Sequence, residues 1–162
     1  MLFRPRLQWK VGGALALMAT LAALPVLAQE SNFGRISLAP GFDAADGVAS
    51  GYTGGSTSLP AIVANQGVNG NRCLGYGDPT PDFVLNLQQD FAQLTLQVDS
   101  GGRDTTLIVR GPDEDTVRCG DDTGSNPDAS IRDSNWKAGD YRIWVGSMES
   151  GAQWDYTLEV TQ

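Results

Sequence analysis

The sequence predicts an all-β chain that folds as a single antiparallel β-sandwich with an N-terminal arm, and three observations carry that reading. Apolar residues recur with period two in four separate segments, the mark of strands with one face in a core and one in water. Gly, Pro, Asp or Asn bound each segment, and these residues favour turns. Nowhere does an apolar repeat follow helical period. Short strands at regular spacing, separated by such turns, are the pattern of a sandwich.

The elements follow in chain order. Arg4, Arg6 and Lys10 precede the apolar stretch VGGALALMATLAALPVLA, and Val26-Leu27-Ala28 supply a signal-peptidase pattern. Residues 1–28 therefore read as a signal peptide; the uncharged run is near the lower limit for a membrane span. Residues 29–62 are rich in Gly, Ser and Ala and read as an arm with short strands, with Phe33, Ile36 and Leu38 in one strand and Phe42 as a second anchor. The domain proper is expected over 63–162, entered through a turn-rich stretch containing Asn69-Gly70. Phe83, Leu85 and Leu87 alternate with polar neighbours, as do Leu94, Leu96 and Val98. TTLIVRG is a shorter apolar run, broken by Gly111-Pro112. Tyr141, Ile143 and Val145 alternate again, and so do Trp154, Tyr156, Leu158 and Val160.

Charge and cysteine content narrow the function classes. Without the leader, 8 basic residues stand against 19 acidic ones, a net charge of −11. Such a surface repels phosphate backbones, which argues against nucleic acid as a partner. Cys73 and Cys119 are the only cysteines, and in an oxidising compartment an even pair reads as a disulfide. A thiolate metal site lacks its other ligands, because the chain has no histidine. The expected location is secreted or periplasmic, with no membrane attachment once the leader is cleaved.

The absence of histidine also removes the Ser-His-Asp triad and the HExxH zinc helix. Ser134-Asn135-Trp136-Lys137 fits SxxK, but it sits between expected strands and lacks the companion motifs. Paired carboxylates could hydrolyse glycosides, yet among 19 acids suitable pairs arise by chance. A small secreted hydrolase using carboxylates is thus an alternative, as is a purely structural envelope protein. The acidic turns carry more information. Asp104 opens DTTLIV, and Asp121, Asp122, Asn126 and Asp128 fall in the stretch DDTGSNPD, read as a loop. Calcium needs six to eight oxygens of this kind on bent backbone. The same residues also stabilise turns by bonding their own backbone. Trp144 lies on the strand face opposite Tyr141, Ile143 and Val145, where an exposed indole could stack on a glycan or peptide. The competing reading covers it with Phe33 or Phe42 of the arm, which must bury its own apolar residues.

The run from Phe91 onwards resembles the bacterial pre-peptidase C-terminal domain, a β-sandwich appended to secreted peptidases and other exported proteins. The matching pieces are the turn before Asp104-Thr105-Thr106-Leu107, Gly111-Pro112-Asp113, Asp121-Asp122 with Asn126, Ala138-Gly139-Asp140-Tyr141 and the terminal Tyr156-Thr157-Leu158. The resemblance implies a jelly-roll-like, non-catalytic accessory or binding module, peptidase-associated in its relatives, some of which bind calcium. Asp104, Asp121, Asp122, Asn126 and Asp128 are then the candidate calcium ligands, and a protein, peptide or glycan is the expected partner. Thr106 departs from the family, which often carries Asp there.

Overall fold

The computed structural model describes residues 31–162, so the leader read over 1–28 lies outside the described residues. Nine main strands run in chain order, with two short ones between: β1 Gly34–Leu38, β2 Val48–Tyr52, β3 Thr57–Ser58, β4 Tyr76–Gly77, β5 Phe83–Leu87, β6 Phe91–Asp99, β7 Thr105–Arg110, β8 Val117–Thr123, β9 Asn126–Trp136, β10 Gly139–Ser147 and β11 Asp155–Thr161. One helical turn, α1 Leu59–Ile62, opens the crossover between β3 and β4. The strand order is β1-β5-β10-β7-β8-β9-β6-β11-β2, with β4 also pairing β10 and β3 pairing β4. All pairings are antiparallel except β1 with β5, which a long crossover separates in sequence.

Strand β8 belongs to both layers. Its first half, Val117–Gly120, pairs with β7, and its second half, Asp121–Thr123, pairs with β9. The two sheets are therefore continuous at one side and face each other across the core. The alternating residues meet there: Phe83, Leu85, Leu94, Leu96, Val98, Tyr141, Ile143, Tyr156, Leu158 and Val160 are all buried in one cluster. Trp136 and Ile131 of β9 complete it.

The described part of the 29–62 segment is built into this framework rather than laid over it. Strand β1 extends one sheet and β2 the other, and Ile36 and Leu38 join the main core. Phe33 packs against Tyr52 and Phe83, and Phe42 against Phe91. The segment has too few apolar residues for a core of its own, so hydrogen bonding to exposed sheet edges is how it is ordered.

A second, smaller cluster lies on the outer face of the β10-β7-β8 layer. Leu59, Ile108, Val117, Trp144, Cys73 and Cys119 are buried together, with Val63 and Ala64 against them. The Cys73–Cys119 disulfide ties the crossover to β8, and the side-chain amides of Asn69 and Asn71 donate to the Cys119 carbonyl. The crossover thereby covers backbone that β8 would expose on leaving the first sheet.

Candidate metal centre

CGDDTGSNPD is a hairpin and not an open loop. Asp121 and Asp122 lie within β8, the turn is confined to Gly124 and Ser125, and Asn126 already begins β9. Gly124 has φ +64, the left-handed conformation that a tight two-residue turn requires. The same correction applies to Ser134, which is part of β9 and not between strands.

Pairing of β7 with β8 brings Asp104, just before β7, beside Asp121 and Asp122. One carboxylate oxygen from each lies within 4.8 Å of the other two. None of the three is in an ion pair among the described residues. Arg72 shares a hollow with Asp121 and Asp122 but pairs with neither. Burial raises the pKa of Asp121 from its ordinary value, and the negative charges of Asp122 and Asp104 add to the rise. Asp104 is raised likewise, by burial first and then by Asp122. The Asp121 Oδ1 atom is buried without a hydrogen-bond partner. An all-oxygen donor set of net charge −3 with an orphaned oxygen fits a hard divalent cation such as calcium. Carbonyls and water would complete its shell.

Asn126 and Asp128 do different work. Asp128 is 3 % exposed and accepts from the Ser100 hydroxyl, from the Ser100 N–H at 2.9 Å and from the Gly102 N–H at 3.1 Å. The Asn126 side-chain amide donates at 3.3 Å to Oδ2, the oxygen that also takes the Gly102 N–H. Burial alone would raise the Asp128 pKa, but these donors outweigh it and hold the carboxyl below its ordinary value. Asp128 thus fixes the 99–103 turn that delivers Asp104. Asp128→Ala is expected to lower stability by ~1–3 kcal/mol, as an anchor whose donors are left unpaired. Denaturant titration gives the loss, and hydrogen exchange is expected to place it at Ser100 and Gly102.

Trp144 does point away from the main core, as its strand phase requires, but it is only 5 % exposed. Its cover corrects the sequence reading: α1 and the disulfide-bound crossover lie over the ring, not Phe33 or Phe42, and its indole N–H donates to the Pro79 carbonyl at 3.3 Å. No ring face is left for stacking on a ligand. Thr106 is buried beneath Gly75 and takes no part in the acidic cluster.

Sequence reasoning passed over Asp82. This residue enters β5 and is 6 % exposed, with Oδ2 accepting from the Val145 N–H at 2.6 Å. Its one local signal was an acid directly before the apolar run FVLNL. Burial is the main cause of a pKa pushed up to about 7, partly offset by the Val145 N–H and neighbouring Asn32 and Tyr156, with Asp78 adding to the rise.

These features define an all-β sandwich carrying a three-carboxylate cluster at one end. Among solved structures, the chain is similar to the pre-peptidase C-terminal domain of a collagenase from Bacillus anthracis, with 17% sequence identity and a TM-score of 0.47. The match covers 83% of this chain and 97% of that domain, and it is a likeness of fold. No protein-family model and no curated protein matches the chain.

Proposed function

We propose that the protein is an exported, non-catalytic accessory β-sandwich of the pre-peptidase C-terminal type, whose strand ends are stiffened by calcium. The observation that carries the reading is the meeting of Asp104, Asp121 and Asp122 within 4.8 Å, without a cationic partner and with Asp121 Oδ1 unsatisfied. Apart from a bound cation, such an arrangement holds like charges together at a cost. Export is supported by the charged-then-apolar leader of the sequence and by the disulfide. The module's role is to bind or present a protein, peptide or glycan, with the cation fixing the β7 entry against the β8–β9 hairpin.

Thermal unfolding tests the cation. In millimolar calcium the melting temperature is expected to rise several degrees above its value in EDTA, with magnesium giving less, as for any ligand bound by the native state alone. Asp121→Ala is expected to abolish that rise, whereas Asp128→Ala is expected to retain it from a lower baseline. Equal melting temperatures in calcium and EDTA would overturn the calcium reading.

A further inference from the structure

The register of the sheets collects at one end of the sandwich the starts of β1, β5, β7, β9 and β11 and the ends of β2, β6, β8 and β10. Asp78, Asp99, Asp104, Asp121, Asp122 and Asp155 lie at or near these strand ends, with Arg72 and Arg103 as basic neighbours. Away from the carboxylate cluster, this end holds a hollow of about 330 Å³ between β1 and β2. Asp78 and Asp82 supply its charge, Asn32 and Gln153 its amides, and Phe33 and Tyr52 its rings.

The hollow has fixed walls. Asn32 and Phe33 donate their N–H groups to the Pro81 and Asp82 carbonyls at 2.9 and 2.8 Å. The Asp78 carboxylate accepts from the Thr80 N–H at 2.8 Å. On the far side the Thr53 hydroxyl donates to the Ala152 carbonyl and accepts from the Trp154 N–H. Phe33 and Tyr52 meet edge to face with centroids 4.9 Å apart. Gly51 permits the close approach of Phe33 and Tyr156, because a Cβ there would lie 2.8 Å and 2.6 Å from them.

One buried group in this wall has no structural partner of opposite charge. Asp82 lines the hollow, accepts the Val145 N–H at Oδ2, has the Asn32 and Tyr156 side chains beside it and forms no ion pair among the described residues. The Tyr156 hydroxyl beside it is buried.

We propose that this hollow binds the guanidinium of an arginine side chain presented by a protein partner. A planar cation with five donors satisfies two carboxylates and two amide oxygens together, and its faces stack on aromatic rings. A hollow of this volume accommodates one long side chain, and the surrounding acidic end attracts a basic partner. At pH 8 the Asp82 carboxyl is ionised, so the bound cation relieves the cost of its burial. The site is separate from Asp104, Asp121 and Asp122 and does not depend on calcium.

The test is an amide NMR titration at pH 8 in EDTA and about 0.15 M salt, where unspecific attraction is screened. The probe is Nα-acetyl-arginine amide, with the citrulline analogue as its uncharged isostere and maltotriose as a neutral glycan. Saturable shifts at Tyr52, Gly54 and Gln153 with arginine alone are the expected result. Asp82→Asn and the exposed Asp78→Asn are each expected to weaken binding about tenfold, and Asp121→Ala to leave it unchanged. A native amide spectrum for Asp78→Asn keeps the test valid even if Asp82→Asn disturbs the fold. Equal shifts with citrulline or maltotriose, insensitivity to both Asp variants, shifts centred on Asp104 and Asp121, or no saturable shifts would each overturn the proposal. Because EDTA is present throughout, these outcomes are independent of those of the calcium experiment.

Discussion

Asp82→Asn is expected to stabilise the protein at pH 8 and to remove a fall in stability between about pH 4 and pH 7. The wild-type carboxyl has a native pKa of about 7 against an ordinary 3.8, because it is buried. Below the lower value both native and unfolded chains are protonated there, and the residue contributes no pH dependence. Between the two values the unfolded chain has released a proton that the native chain still holds, so stability falls as pH rises. Above pH 7 both states are ionised and the native state carries the whole cost, up to about 4 kcal/mol for a shift of this size. Asparagine keeps an oxygen for the Val145 N–H and adds an N–H₂ that can reach the Tyr156 hydroxyl, but it carries no charge. Denaturant unfolding of both proteins at successive pH values isolates this residue, since the other titrating groups cancel in the difference. A constant difference from pH 4 to pH 8 would mean that Asp82 titrates in the native state as it does in the unfolded chain.

How much of this could be read from sequence depended on whether a residue's environment was set along its own strand or across strands. Tyr156, Leu158 and Val160 declare themselves because one face is core and the other is not, and all three are buried; Phe83, Leu85 and Leu87 face the same core, although Val84 between them is buried too. Strand β8 does not declare itself: Val117, Arg118, Cys119 and Gly120 are buried in succession, so no alternation exists to detect. Its buried arginine is legible only through partners far along the chain, with Asp133 at 2.7 Å and the Trp136 ring at 4.2 Å. Trp144 shows the boundary well. Strand phase gave its direction, but its cover came from a crossover whose position is fixed by a disulfide and by hydrogen bonds to β8. The acidic residues divide in the same way. Sequence proximity joined Asn126 and Asp128 to Asp121 and Asp122, whereas β7–β8 pairing brought Asp104 to them and the hairpin carried Asp128 to the 99–103 turn.

Removal of the disulfide in a Cys73→Ala/Cys119→Ala variant is expected to lower stability by about 4 kcal/mol, the chain-entropy value for a loop of this length. The bond spans 46 residues, and the loss would be a large part of a typical domain's margin. Alanine keeps both positions apolar, which matters because both sulfurs are buried. The effect is expected to have a local component as well. The crossover has little regular structure of its own, only β3, α1 and β4, and it is held on the sheet by Leu59, the disulfide, the Asn69 and Asn71 bonds to Cys119, the Val68 N–H on the Val117 carbonyl, Arg110 on the Val63 carbonyl and the pairing of β4 with β10. Without the covalent tie it is expected to lift before the sandwich unfolds, since weakly packed segments open at the lowest free energy. Trp144 lies directly beneath it and reports that opening. Acrylamide quenching of tryptophan fluorescence is expected to rise in the alanine variant under native conditions, and Trp144→Phe in the same background is expected to remove the increase. Unfolding at the same denaturant midpoint with unchanged quenching would show that packing and hydrogen bonds alone hold the crossover. A loss of stability together with raised quenching would make the disulfide the element that keeps the outer face of this layer closed over Trp144.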